Sequence, residues 1–281
     1  MKKKDKIGFQ GELGAYSHIA ALELFPKSEI KACKTFDETF RLAAEDDNFS
    51  IIVPIENSLA GRVADIHYLL PKYKLQIHSE FFLEVQHNLL AVKGASIEKI
   101  KSVRSHAQAI SQCQKIIQKY NFEPIIAADT AGSAKYLSLN KNKTEAAIAS
   151  ALSAKIYGLQ VLKKNIEDES GNMTRFLIMA KEKVQPEYKS GRKYITSCIF
   201  RLKSIPSALY KCLGGFSTNQ INLTKLESFS VKNSFEQVNF YLDFEGHLEN
   251  DNVKNALEEL GFYTEMLEIL GVYEAHKFRN I

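Results

Sequence analysis

Along the first 180 residues, hydrophobic positions fall into short apolar or alternating runs separated by amphipathic ones, the pattern expected of an α/β domain. The runs predict strands at residues 6–9, 29–34, 51–55, 82–92, 100–105, 124–128, 146–149 and 173–180. Helical periodicity predicts helices between them. Residues 16–25 place Ala20, Ala21 and Leu24 on one face, residues 106–120 do the same with Ile110, Cys113, Ile116 and Ile117, and residues 130–139 follow suit. Residues 181–193, with Pro186, Gly191 and several lysines and arginines, carry no apolar period and read as a linker.

Beyond the linker the order changes. Residues 196–202 alternate as a strand, Pro206 opens a helix running to residue 213, and residues 221–230 and 235–245 form a hairpin. A helix at 253–260 and a strand at 264–273 complete a ferredoxin-like βαββαβ unit of about 85 residues. Modules of this kind commonly bind small ligands or pair edge to edge with a copy of themselves.

Composition narrows the class. The 281 residues are 45% hydrophobic, 25% charged and 10% aromatic, which excludes disordered, collagen-like and disulfide-dense chains. That length suggests two domains. A formal charge of +4 includes Lys2, Lys3, Lys4 and Lys6, so the rest of the chain is nearly neutral and neither a nucleic-acid nor a membrane partner is expected. Gly8, Gln10, Gly11 and Glu12 interrupt any signal-peptide core, and the apolar helical region at 146–162 carries Lys155 and Gln160 and is too short to span a bilayer. Cys33, Cys113, Cys198 and Cys212 have no CxxC spacing and the histidines no HExxH pattern, so no metal site is expected, the thiols read as reduced, and a cytoplasmic location is predicted.

Five segments could carry chemistry, each with a structural alternative. In GFQGELGAYS the strand-to-helix turn with three glycines offers N–H groups to an anion, with Ser17 at the helix start, or is simply a tight turn. The GxxGxxG spacing departs from the dinucleotide fingerprint, so no nucleotide cofactor is expected. Glu56, Asn57 and Ser58 of PIENS stand at the carboxyl end of an apolar strand, where open α/β sheets bind ligands, or Asn57 and Ser58 cap the next helix. In SHAQAISQC, Ser105 and Gln108 have capping-box spacing, and Gln112 falls on the same helix face two turns on. In DTAGSA, Asp129 or Thr130 can cap a helix and leave N–H groups for an anion. In NIEDESGNMTRF, Arg175 is suited to a bidentate carboxylate clamp or to a salt bridge with Glu167, Asp168 or Glu169.

Taken together and in this order, GFQGELGAYS, PIENSLAG, SHAQAISQC, DTAGSA and NIEDESGNMTRF, followed by a βαββαβ module containing INLTKLES, resemble prephenate dehydratase with a C-terminal ACT domain. The resemblance covers nearly the whole chain. It implies a two-lobed catalytic domain similar to periplasmic binding proteins over residues 1–182, a linker over 183–193 and a regulatory ACT domain over 194–281. It also implies a monofunctional enzyme that converts prephenate to phenylpyruvate, carbon dioxide and water without cofactor or metal.

By the same resemblance Thr174 is the proton donor, joined in the pocket by Glu56, Asn57, Ser105 and Gln112. Arg175 is expected to hold a substrate carboxylate, with Phe176, Ser58, Ser17 and Thr130 also toward substrate. An L-phenylalanine effector would meet Ser207, Ala208, Leu209, Asn222, Leu223, Thr224, Glu227 and Ser228. Here the sequence departs from the family, reading Ser207-Ala208-Leu209 for GAL and Glu227-Ser228-Phe229-Ser230 for ESRP, which puts feedback inhibition in question. ACT modules usually pair, so a homodimer or homotetramer is expected. Arogenate is the alternative substrate.

Overall fold

A computed structural model describes residues 6–231 and 237–280, which form three sheets. The first unit contains β1 (Lys6–Gln10), α1 (Tyr16–Leu24), β2 (Glu29–Cys33), α2 (Phe36–Glu45), β3 (Phe49–Asn57), β4 (Gly61–Arg62), α3 (Ala64–Tyr73) and β5 (Gln76–Glu84). The second contains β6 (Asn88–Ala91), β7 (Ser102–His106), α4 (Ala107–Ser111), α5 (Gln114–Tyr120), β8 (Glu123–Ala127), α6 (Thr130–Asn140), β9 (Glu145–Ala149), α7 (Ala151–Tyr157) and β10 (Gln160–Lys163). The chain then returns to the first sheet as β11 (Met173–Ala180). The third unit contains β12 (Tyr194–Leu202), α8 (Ala208–Thr218), β13 (Leu223–Ser230), β14 (Val238–Glu245), α9 (Asp251–Tyr263) and β15 (Thr264–Glu274).

The first sheet has the order β2-β1-β3-β11-β5, with β4 paired to β3; the second has the order β10-β6-β9-β7-β8. Two crossovers join them, at residues 85–87 and 164–172, and they run side by side. Val85 N–H donates to the Asn172 carbonyl (2.7 Å), and Ile166 N–H donates to that of His87 (2.9 Å). The strand expected at 82–92 is therefore two strands in different sheets, parted where the chain leaves one unit for the other. The break falls on the largely polar stretch Glu84-Val85-Gln86-His87-Asn88, which is the signal that marks it.

The helix expected at 106–120 is also two, and its interruption serves the cleft. His106 caps α4 by accepting the Gln108 N–H (3.3 Å), and Asp168 caps α5 by accepting the N–H groups of Gln114 (2.7 Å) and Lys115 (2.9 Å). Asp168, in the second crossover, thus joins that segment to the helix start, where a carboxylate is favoured. Gln112 sits in the break.

The third unit has strand order β13-β14-β12-β15, all antiparallel, with α8 and α9 on one face, as the ferredoxin-like expectation required. Its first helix begins at Ala208, after Ser207 at φ +63°, so Pro206 lies in the turn before it. The expected second hairpin strand begins at Phe235, outside the described residues; β14 starts at Val238. The other face of this sheet lies against the first unit. Ile195, Ile199, Tyr241, Leu270 and Tyr273 share one core with Phe40, Ile51, Val53, Ile66, Leu70 and Ile77. Gly271 marks the closest approach, since a Cβ there would strike the backbone of Ile77. Residues 181–193 form no strand or helix, as expected, but they are pinned. The Pro186 carbonyl faces His247 Nε2 (2.9 Å), the Tyr194 hydroxyl donates to the Glu187 carbonyl (3.0 Å), and Arg192 pairs with Glu274.

Candidate active site

A cavity of about 460 Å³ opens between the first two units. The glycine-rich turn forms one wall and also joins the units. Gly14, at φ +93°, backs onto Ser153, and its carbonyl accepts hydrogen bonds from the hydroxyls of Ser150 (2.6 Å) and Ser153 (3.0 Å). Gly11, Tyr16 and Ser17 beside it face the cavity. Opposite stand Gln108 and Gln112 from the α4 region and Asp129 and Thr130 at the start of α6. Asn57, Thr174 and Phe176 form the floor, on the paired strands β3 and β11.

Side chains on a strand alternate between its faces, and that alternation sorts the predicted residues. Thr174 lies opposite Asn57 in the ladder, and Arg175 lies opposite Glu56. Thr174, Phe176 and Asn57 face the cavity, whereas Arg175 and Glu56 face the third unit. The Arg175 guanidinium is 1% exposed. Its Nε donates to Glu80 (2.8 Å), one terminal nitrogen to Glu56 (3.0 Å) and Asp243 (2.6 Å), and the other to the Tyr273 hydroxyl (2.9 Å). This placement removes Arg175 from the carboxylate-clamp role. It does form a salt bridge, but with Glu80, Glu56 and Asp243 rather than with the acids of the preceding loop. Glu56 likewise leaves the pocket and also accepts from Lys225 (2.7 Å). Burial pushes its carboxyl up, yet Arg175 and Lys225 outweigh that and hold it below the usual range.

Two more predicted residues are placed away from the cavity. Ser105 is fully buried at the end of β7, and its hydroxyl donates to the Ile148 carbonyl (2.7 Å), tying β7 to β9. Ser58 clamps the start of β11. Its N–H donates to the Met173 carbonyl (2.8 Å), and its hydroxyl accepts from the Met173 N–H (2.9 Å).

The residues that do converge are polarised in one sense. Asn57 Oδ1 accepts from the N–H groups of Leu59 (3.1 Å) and Ala60 (2.9 Å), which fixes the amide so that its nitrogen faces Asn172 Oδ1 (2.6 Å) and Thr174 Oγ1 (3.0 Å). Thr174 is therefore an acceptor toward Asn57, and its own proton is left for the cavity. Asn172 continues the relay by donating to Gln112 Oε1 (2.9 Å). His87 Nε2 lies 3.0 Å from the same oxygen, and His87 Nδ1 lies 2.9 Å from the Tyr16 hydroxyl. Burial lowers the His87 pKa and favours the neutral ring. In that ring Nε2–H faces Gln112 Oε1, while the Tyr16 hydroxyl, which burial keeps protonated, donates to the Gln86 carbonyl (2.8 Å) and lies beside Nδ1. With its oxygen doubly engaged, Gln112 is left with its NH₂ for the cleft. Asn172 and His87 escaped the sequence reading because both sit in crossovers, where no periodicity singles out a side chain.

The effector residues are not gathered within one chain. Leu223 and Ser230 mark opposite ends of β13, and the register through β14 places the Ser230 end beside the end of β12 that leads to Ser207. Ser207, Ala208 and Leu209 border a surface depression formed by residues 202–210 alone. Asn222, Leu223 and Thr224 stand at the far end, where Asn222 reaches Glu245 (3.3 Å) and Thr224 reaches the Asp243 carbonyl (3.4 Å). Glu227 and Ser228 face Arg62. Among the described residues no cluster of His, Cys, Asp and Glu could hold a metal ion.

Fold and cleft together define an α/β protein with a small-molecule cavity between two sheet units, lined by oriented amide and hydroxyl donors. The sequence assigns it more closely: residues 7–184 match the prephenate dehydratase family model, and the chain belongs to that family. It is 39% identical over 97% of both chains to a bifunctional N-acyl-homoserine lactone acylase/prephenate dehydratase of Komagataeibacter europaeus. It is 36% identical to arogenate dehydratase/prephenate dehydratase 2 of Arabidopsis thaliana, over 95% of this chain and 72% of that one. The structure of the Arthrobacter aurescens prephenate dehydratase in complex with L-phenylalanine superposes with a TM-score of 0.87 at 27% identity, over 96% of this chain and 90% of that one.

Proposed function

We propose that the chain is a prephenate dehydratase of phenylalanine biosynthesis, a hydro-lyase that converts prephenate to phenylpyruvate, carbon dioxide and water. One observation carries the reading: Asn57 Nδ2 donates to Thr174 Oγ1 (3.0 Å) at the cavity wall, which leaves the Thr174 hydroxyl able to donate to a bound substrate. Loss of the ring carboxylate as carbon dioxide sends an electron pair into the ring, which aromatises as the ring hydroxyl departs. The prephenate dianion and one proton become the phenylpyruvate anion, carbon dioxide and water. Thr174 and the Gln112 amide stabilise the departing oxygen by hydrogen bonding. A threonine hydroxyl titrates far above neutrality, so Thr174 acts as an oriented donor, a role generally worth about 10²- to 10⁴-fold in rate. Phe176, Pro54, Val85 and Ala109 give the cavity an apolar share, which favours conversion of a carboxylate into neutral carbon dioxide.

Residues 1–182 are read as the catalytic domain, whose lobes close about the paired crossovers, 183–193 as the connector, and 194–281 as an ACT regulatory domain. The βαββαβ order supports the last assignment. The likeness to a dehydratase complexed with L-phenylalanine supports that amino acid as effector. A homodimer or homotetramer and a cytoplasmic location complete the reading; no helix of the described residues is long and apolar enough to cross a membrane.

Product formation from prephenate, arogenate and an N-acyl-homoserine lactone, measured side by side, tests the activity. The reading expects the highest kcat/KM with prephenate. A larger value with arogenate reassigns the substrate, and hydrolysis of the N-acyl amide of the lactone at a comparable rate ends the monofunctional assignment.

A further inference from the structure

With Arg175 withdrawn from the cleft, a dianionic substrate needs another cation. Arg62 is the one lysine or arginine among the described residues that line the cavity. It sits on the two-residue strand β4, opposite Glu56 and next to Gly61, which is opposite Asn57; the residue that orients Thr174 and the cation are thus held by one short hairpin. One terminal guanidinium nitrogen donates to the Ser228 carbonyl of β13 (2.7 Å) and lies 3.7 Å from the Glu227 carboxylate. The other guanidinium N–H groups make no hydrogen bond among the described residues, and the side chain is 41% exposed. Lys225 of β13 is 7% exposed and is engaged by Glu56 (2.7 Å) and Glu227 (3.3 Å).

We propose that Arg62 binds a carboxylate of the substrate and that β13 of the C-terminal unit aims it. This rests on the dehydratase reading for the identity of the substrate, though the chemistry requires only a small anion. A guanidinium held at one corner by a backbone carbonyl keeps its remaining edge for a carboxylate, the geometry in which arginine outperforms lysine. Glu227 tempers the site, since its carboxylate competes weakly for the same guanidinium. Displacement of β13 changes substrate affinity without touching Thr174, which makes Arg62 a link between the C-terminal unit and the cleft.

Steady-state kinetics with prephenate on full-length Arg62→Gln, Arg62→Lys and Glu227→Gln enzymes tests this. Arg62→Gln removes the charge, and Arg62→Lys keeps it while losing the forked geometry, so the pair separates charge from shape. The KM of Arg62→Gln is expected to rise about 10- to 100-fold with kcat within about threefold, the scale of a lost charge-assisted hydrogen bond. Arg62→Lys falls between the two, and Glu227→Gln lowers KM about twofold. Raising ionic strength lowers wild-type kcat/KM more steeply than that of Arg62→Gln. A KM for Arg62→Gln within twofold of wild type, with unchanged salt dependence, overturns the proposal. Calorimetry with prephenate and phenylpyruvate separates the two readings. Binding without turnover that Arg62→Gln abolishes sinks the dehydratase and keeps Arg62, whereas a wild-type protein that neither binds nor converts prephenate sinks both.

Discussion

The first unit makes two contacts of opposite character. Toward the second unit it presents a cavity whose polar side chains are mostly hydroxyl and amide groups, set among apolar ones. Toward the third it presents a continuous apolar core threaded by buried charges, with Arg175 held among Glu80, Glu56 and Asp243, and Glu80 also bound to Arg279 (2.7 Å). The same two strands, β3 and β11, supply both. One face of the strand pair carries Asn57, Thr174 and Phe176; the other carries Glu56 and Arg175. Neighbours in sequence therefore have unrelated surroundings: Thr174 faces the cavity, where we propose that it serves the chemistry, and Arg175 is bonded to Asp243 and Tyr273 of the C-terminal unit.

Disrupting the charged face should produce the largest loss of stability. Arg175→Ala leaves Asp243 without a counter-charge in a closed interface and takes one partner each from Glu80 and Glu56; it is expected to cost about 3–5 kcal/mol, read by denaturant unfolding. Breaking the apolar part of the same contact comes next. Gly271→Ala forces β15 away from Ile77 and is expected to cost about 1–3 kcal/mol, with a smaller shift in catalysis than in stability.

Acid should act on both contacts. Burial lowers the pKa of His67, which packs against Phe229 and Tyr241 of the third unit, and of His87 in the cleft relay. A histidine whose folded pKa is depressed contributes stability that is fully present above its unfolded value, about 6.5, and is lost as pH falls through that value toward the folded one. Burial raises Glu80, but its partners Arg279 and Arg175 outweigh that and bring it below the usual carboxylate range. Its contribution is present above the unfolded value and lost as pH falls further, through the folded one. Unfolding curves from pH 8 to about pH 2 should show two successive losses, the first near pH 6.5 and below and the second below the usual carboxylate range. A flat profile down to pH 5 would contradict the histidine assignment.

Much of this arrangement was legible in the sequence, and the failures are instructive. Most strands of the two α/β sheets and the βαββαβ order follow from periodicity, but β4, β10 (Gln160–Lys163) and the first part of β5 (Gln76–Glu84) do not, being short or largely polar. Helix α2 could have been found from Thr35 and Glu38, whose capping-box spacing the structure fulfils when Thr35 Oγ1 accepts the Glu38 N–H (3.1 Å). The outward turn of Arg175 was also available, since a strand that sends Thr174 and Phe176 to one side sends the residue between them to the other. Its partners were not. Glu80 and Asp243 lie 95 and 68 residues away, and only the tertiary fold brings them together. Arg62 was passed over for the same reason: what distinguishes it is that, among the described residues, it is the one lysine or arginine lining the cavity.

The separation of the two faces is tested most directly by turnover of Thr174→Ala on prephenate, measured beside its unfolding free energy. The account predicts that kcat falls by at least about 10²-fold while stability stays within about 1 kcal/mol of wild type. Near-wild-type turnover, or a loss of stability as large as that of Arg175→Ala, would contradict it.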